Sequence, residues 1–260
     1  MSTKRHIRYL SKHIFRYLSR VFSFKLAIDE RGINDNLVFS IVEYCHKQGF
    51  ADVLIYKSRA PKSEFDYGHD FDLFVECEND KYAYFALQAK VMNFNGGYPN
   101  FDYAKKQWVK LKDHENKFGS KAYYMFYNGK YILSSIPPPT RSDCLEILTL
   151  EDYGIGIVEN SEIEAFIRTK HTIKFTDFYP NKMDAFRKLF YCSCSDLGVE
   201  HLHSSNTIDL NPPYEQVTGN ANFNPEEPTQ NNDIELAEGS APIRIIVKKH
   251  PLEPTLAKKK

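Results

Sequence analysis

The sequence predicts an α/β (α+β) domain, a mixed central sheet with helices on its faces. Three observations predict it. Apolar residues recur at three- and four-residue steps in some stretches and form short β-branched or aromatic runs in others. The order of those stretches is helix, three strands, helix, strand, then further helices. The 260 residues are 42% hydrophobic and 26% charged with zero net charge, which excludes global disorder. No apolar run approaches the roughly 18 residues of a membrane span, which excludes a transmembrane segment.

The first helix is drawn by Ile7, Leu10, Ile14, Leu18 and Val21 on one face, with Arg5, Arg8, Lys12, Arg16 and Arg20 on another. Asn34 or Asp35 can cap a second helix that runs to about Lys47 and stops at Gly49. Val53 to Tyr56 reads as a strand, and 58–69 as a polar loop. Two strands follow, about 70–77 and 82–91, around an Asn79-Asp80 turn. A loop over 93–100, a helix from Phe101 to Phe118 and a strand from Ala122 to Tyr127 come next. Residues 144–191 hold another strand and two more helices. The stretch 206–232, with seven Asn and four Pro, reads as a linker, after which Ile243 to Val247 can add one short strand. The predicted organisation is a basic amphipathic helix over 1–28, a catalytic domain over 29–203 and a mostly disordered tail over 204–260.

The zero net charge hides an asymmetry. The first 25 residues hold seven bases and no acid, so the remainder carries −7. The body is therefore no general polyanion binder, and nucleic-acid contact must come from local patches such as the N-terminal helix. That helix can be a docked element with a solvated basic side, or one that tracks phosphates or lies on a membrane surface. Charges interrupt its apolar runs, so it is no secretory signal, although its composition also suits a transit peptide. Five scattered cysteines suit a reducing cytoplasm better than a disulfide framework.

The chemistry concentrates between 64 and 90. Asp70 and Asp72 share one face of the first hairpin strand, and Gln88 and Lys90 share one face of the second. An odd-length turn sets Phe71, Leu73 and Val75 against Ala89, Leu87 and Phe85, which makes one face wholly apolar. It also sets Asp70 against Lys90 and Asp72 against Gln88. Two carboxylates, an amide oxygen and an ammonium in one patch suit Mg²⁺, which takes oxygen ligands, with Mn²⁺ as a substitute. A Lys opposite an Asp is also what an ordinary cross-strand ion pair looks like.

Asp70, the hairpin and Gln88-Ala89-Lys90 together resemble the PD-(D/E)xK restriction-endonuclease-like superfamily, in the Gln-x-Lys variant of Mrr-type restriction endonucleases. Glu64-x3-Gly68-x-Asp70, Gln88-Ala89-Lys90 and Tyr124-Met125-Phe126-Tyr127-Asn128 are similar to the pattern of bacterial members of that superfamily. The resemblance spans about residues 30–195. It implies a restriction-endonuclease-like mixed sheet, Asp70 as a metal ligand, Gln88 as a carbonyl ligand, Lys90 acting on the water and Glu64 as an accessory ligand. His69 stands where the pattern has Pro, and Asp72 is an extra carboxylate that either assists Asp70 or flanks it. Lys105, Lys106, Gln107 and Lys110 on the following helix can hold a phosphate backbone, or form a solvated face.

Cys192-x-Cys194 with His201-x-His203 is a weak zinc pattern, since the pairs are closer than usual. No phosphate-binding Gly loop and no Gly-x-Ser-x-Gly elbow occurs. The resulting expectation is a cytoplasmic, Mg²⁺-dependent endodeoxyribonuclease acting on double-stranded DNA, of use in defence against foreign DNA. Cutting both strands would favour a homodimer, and a free nuclease would need a regulatory partner or ligand. The rivals are an inactive nucleic-acid- or partner-binding protein on the same fold, and a membrane-surface adaptor built on the N-terminal helix.

Overall fold

The computed structural model describes residues 3–48, 53–58, 69–78, 80–99, 101, 106–131, 147–167, 173–190, 197–208, 214–216 and 241–248. In chain order the elements are α1 (Thr3–Ser23), α2 (Glu30–Gln48), β1 (Val53–Ser58), β2 (Phe71–Glu78), β3 (Lys81–Val91), α3 (Gln107–Phe118), β4 (Lys121–Tyr127), β5 (Ile155–Glu159), α4 (Asn160–Ile167), α5 (Phe175–Phe178), β6 (Asp184–Ala185), β7 (His203–Ser204), β8 (Tyr214–Gln216) and β9 (Ile243–Val247). The strands form one mixed sheet in the order β6-β5-β4-β3-β2-β9-β1-β8, with β7 beside β3. The predicted mixed sheet flanked by helices is what folds. None of the described helices is long and apolar enough to cross a membrane.

The centre of the sheet is the β2–β3 hairpin, joined through α3 to the parallel strand β4. One face is apolar as predicted, but with Phe71 opposite Leu87 and Leu73 opposite Phe85 in place of Ala89 and Leu87. The register therefore sits two residues from the predicted one. Glu78 pairs with Lys81 across a two-residue turn, Glu76 pairs with Tyr82, and a bulge absorbs Cys77 between them. The extra residue restores the apolar match that an even turn alone would break. Asp72 therefore lies opposite Ala86, and Asp70 next along lies beside Gln88 rather than Lys90. Cys77 takes part in a disulfide, which the odd and scattered cysteines did not predict, whereas Cys45 is a free, buried thiol.

The domain boundary predicted at 204 does not hold. β9 lies between β1 and β2, antiparallel to the first and parallel to the second. All five of its residues are buried. Within the Asn- and Pro-rich stretch 206–232 the strand β8 pairs with β1, and the short strand predicted over Ile243 to Val247 forms as β9. Two helix starts also move. α2 begins at Glu30, so Asn34 is interior, where its Oδ1 accepts the Tyr127 hydroxyl at 2.7 Å. α3 begins at Gln107, after Lys106 in left-handed backbone (φ 48°).

α1 belongs to the domain rather than standing apart. Ile7, Leu10, Ile14, Leu18 and Phe22 are buried in the main core. Each contributes roughly 1.5–3 kcal/mol of transfer free energy, more than any ion pair on its surface. Arg8 grips Asp152 through two hydrogen bonds of 2.7 and 3.1 Å, and Arg16 grips Glu151. The helix backbone closes on two glycines. A Cβ on Gly154 would stand 1.8 Å from the Ser11 carbonyl oxygen, and one on Gly129 would stand 2.7 Å from the Ser19 nitrogen. Gly154→Ala must push α1 off the sheet edge, at a cost of about 2 kcal/mol. Thermal unfolding is expected to shift down by roughly 4–8 °C, and an unchanged Tm would show that α1 is not clamped there.

Candidate functional site

The site gathers at the end of the sheet where β2 begins and β3 finishes. Asp70 immediately precedes β2, and its N–H donates to Leu87 O at 2.9 Å. Its Oδ2 accepts two hydrogen bonds, from the Gln88 amide at 2.7 Å and the Ala89 N–H at 2.8 Å. Oδ1 is left without a hydrogen bond among the described residues. Gln88 also donates to the Ala89 carbonyl, so its Oε1 is its remaining donor for a cation. Lys90 is buried, with its Nζ 4.0 Å from Glu30 Oε2. Asp70, Gln88 and Lys90 therefore come together as predicted.

Glu30 is the residue that sequence reasoning missed. It opens α2, where a carboxylate also meets the positive end of the helix. Forty residues separate it from Asp70, so no spacing links the two. Glu64, the predicted accessory acid, lies outside the described residues, as does Lys105 of the predicted basic patch.

Electrostatics sets this pair of acids apart. Burial pushes the Glu30 carboxyl up to about 7; Lys90 opposes the rise, and Asp70 adds to it. Burial also raises Asp70, against the Ala89 hydrogen bond, Lys90, His69 and Arg31. Two partly buried acids lie beside one buried ammonium, Lys90, with Arg31 exposed nearby, and burial weighs more on both carboxyls than the positive charge around them. Between the ordinary value of 4.5 and about 7 the folded protein holds the Glu30 proton more tightly than the unfolded chain. Stability contributed by this group is thus full below that window and falls as pH rises through it. In EDTA at pH 8, Glu30→Gln is expected to stabilise the fold by about 1–3 kcal/mol and to flatten the dependence of Tm on pH between roughly 5 and 7. An unchanged pH profile would remove Glu30 from the site.

Asp72 was predicted as a possible metal ligand, and the structure corrects this. The side chain is fully buried and all its lone-pair directions are taken. Oδ1 accepts from Tyr84 at 2.6 Å and from His69 Nε2 at 2.9 Å. Oδ2 accepts from the Ala241 N–H at 3.0 Å and from Arg244 at 2.9 and 3.2 Å. Those partners outweigh burial and hold its carboxyl far below the usual range. The network continues from Tyr84 to His114 and from His114 to Ser120. Asp72 is the anchor of the strand that carries Asp70, and it is not open to a cation. Among the described residues no group of three or more His, Cys, Asp or Glu could hold a metal, and the oxygen donors that they bring to this end of the sheet are those of Asp70, Glu30 and Gln88.

Lys106, at the start of α3, is exposed, Lys110 is half-buried, and Gln107 Oε1 is buried with no hydrogen-bond partner among the described residues. Tyr124, the neighbour of Gln88 across the β3–β4 ladder, likewise has a buried hydroxyl with no partner among the described residues. The rest of the Tyr124–Asn128 segment is packing: Tyr127 bonds Asn34, and Asn128 bonds Tyr98 and the Tyr153 carbonyl. Of the predicted zinc pattern, Cys192 and Cys194 lie outside the described residues. His201 is exposed, and His203 Nε2 donates to the Gly119 carbonyl at 3.3 Å.

Residues 3–251 match the model of DUF6615, a family of unknown function, and the chain belongs to that family. The match runs from α1 through β9, the same extent that the core unites. No curated protein matches the chain.

Proposed function

We propose that this member of the DUF6615 family is a metal-dependent nuclease that hydrolyses DNA phosphodiester bonds. The observation that carries the reading is the convergence of Asp70, Gln88, Lys90 and Glu30 on one end of the sheet, with two partly buried acids, whose carboxyls burial raises, beside one buried ammonium. That donor set fits Mg²⁺, or Mn²⁺ in its place, through Asp70 Oδ1, the Glu30 carboxylate and Gln88 Oε1. A bound divalent cation neutralises phosphoryl charge and lowers the pKa of an attacking water. The chain's own residues do the rest. The Ala89 N–H and the Gln88 amide fix the rotamer of Asp70 before any ligand arrives. Lys90 is held in a buried position from which its ammonium orients the water and stabilises the charge that develops on the phosphoryl oxygens. Lys106 and Lys110 would contact the phosphate backbone.

The motif order of the hairpin supports the restriction-endonuclease-like reading, and a role in defence against foreign DNA rests on that analogy alone. The membrane-adaptor reading is the weaker, because the apolar stripe of α1 is spent in the core. Supercoiled-plasmid nicking in Mg²⁺ or Mn²⁺, compared between wild type and Lys90→Ala with an EDTA control, tests the proposal. Metal-dependent nicking lost in Lys90→Ala supports it, and equal nicking by both proteins sinks it. A wild type that binds DNA without cutting it would favour the inactive binding protein.

A further inference from the structure

α1 has a second face that neither the core nor the hydrolytic site uses. Arg5, Tyr9, His13, Tyr17, Arg20 and Phe24 follow one another at steps of four, four, four, three and four, so they form one outward stripe in which cations interleave with rings. The rings are open to solvent: Tyr9 is 58% exposed, Tyr17 49% and Phe24 65%. Buried aromatic surface normally rewards folding, so three exposed rings on one stripe call for a partner. On the other flank Arg8, Lys12 and Arg16 are consumed by Asp152 and Glu151. Arg5 and Arg20 make no ion pair with any described residue.

Beside the stripe lies a groove between α1 and α2, with a cavity of about 250 Å³. Leu10, Ile14 and Leu37 floor it, and His13, Tyr17 and Asn36 rim it. An apolar floor with a ring and amide donors at its edge suits the face and edge of an unpaired base. The stripe also leads to the right place. Ser19 Oγ accepts the N–H of Lys130, just past the end of β4, and β4 ends level with Lys90 and Val91 of β3. Six residues after Phe24 the chain delivers Glu30 to the site.

We propose that the outward face of α1 and the α1–α2 groove bind unpaired nucleotides of the substrate strand, with Arg5 and Arg20 on phosphates and Tyr17 under a base. The ligand's identity rests on the nuclease reading, but the binding itself does not depend on hydrolysis. A membrane would need the apolar side of α1, which is buried.

The test is fluorescence anisotropy of the full chain with a labelled single-stranded DNA of about 12 nucleotides, within the range such surfaces cover, in EDTA. Arg5→Ala/Arg20→Ala is expected to weaken binding about tenfold near 0.1 M salt and to reduce the salt slope by about 1.4, the value for two phosphate contacts on a single strand. Tyr17→Ala is expected to weaken it by about 5- to 100-fold with an unchanged salt slope. Lys182→Ala, a surface cation paired with Glu162 elsewhere, should leave affinity as it is. The variants are surface changes, and an unaltered Tm checks that they fold. Wild-type affinity in both α1 variants, no binding by the wild type, or preference for phosphatidylserine vesicles over the oligonucleotide would each overturn the proposal. Unaltered variants with persisting Lys90-dependent cleavage would remove this surface and leave the nuclease; α1-dependent binding with no cleavage in Mg²⁺ would do the reverse.

Discussion

Asp70→Asn is expected to lower metal-dependent DNA cleavage by about 10³-fold or more, equivalent to roughly 4 kcal/mol of transition-state stabilisation, while leaving the fold intact. The two effects separate because of how Asp70 is held. Its Oδ2 accepts from the Gln88 amide and the Ala89 N–H, and an asparagine oxygen can accept both. Burial already disfavours the charged form of Asp70. Replacing it with a neutral isostere should therefore leave Tm in EDTA unchanged or raised. The same change removes the anion that a cation would meet, so Mn²⁺ is expected to raise Tm in the wild type and not in the variant. Lost cleavage with a collapsed Tm would mean that Asp70 is structural. Retained cleavage would exclude it as a ligand.

Arg244→Met is expected to destabilise the protein by about 3–5 kcal/mol, the cost of leaving one partner of a buried pair uncompensated. Thermal unfolding should shift down by roughly 6–20 °C. Asp72 is buried, and Arg244 supplies two of its hydrogen bonds and the only guanidinium that meets it among the described residues. The methionine can fill the volume but leaves Oδ2 with the Ala241 N–H alone. The pH dependence carries a sign. The carboxyl of Asp72 is held below its ordinary value of 3.8, so the stability that it contributes is present above that value and lost as pH falls through the folded one. Wild type should therefore gain stability over the variant most at neutral pH and least in strong acid. Urea unfolding of both proteins at pH 7 and pH 3 measures the difference; a gap that does not narrow in acid would detach Arg244 from Asp72.

Arg244 also shows why parts of the molecule could not be read from sequence. It reaches Asp72 across 172 positions, from a strand whose approach is rich in Asn and Pro. The IRIIV run was legible as a short strand, but neither it nor the composition before it shows that the strand enters the sheet between β1 and β2. Asp70 and Asp72 were indistinguishable for a related reason. Alternation puts both on one strand face, and only the third dimension sends His69, Tyr84 and Arg244 to one and leaves the other facing the sheet end. Glu30 was invisible because a helix start brings it to a hairpin that follows 40 residues later.

What was legible was local. The apolar faces of β2 and β3 fixed which side chains oppose one another in kind, so Asp70, Gln88 and Lys90 were correctly placed together. The bulge at Cys77 moved the pairing by two residues without changing its parity, which is why the site survives an incorrect register. α1 was legible as amphipathic, but its depth was not. The approach of its backbone to Gly129 and Gly154 depends on two glycines that look like ordinary loop residues in the sequence.

The measurement that bears most directly on the metal-dependent hydrolysis is the fate of the oxygen. A single DNA oligonucleotide is incubated with wild type or Lys90→Ala in water enriched in ¹⁸O, with Mg²⁺ or with EDTA, and the products are weighed by mass spectrometry. The account predicts one ¹⁸O in the new terminal phosphate, formed only by the wild type and only with the metal. Products that form equally with Lys90→Ala, that form in EDTA, or that carry no solvent oxygen would contradict it, as would an oligonucleotide left whole by the wild type.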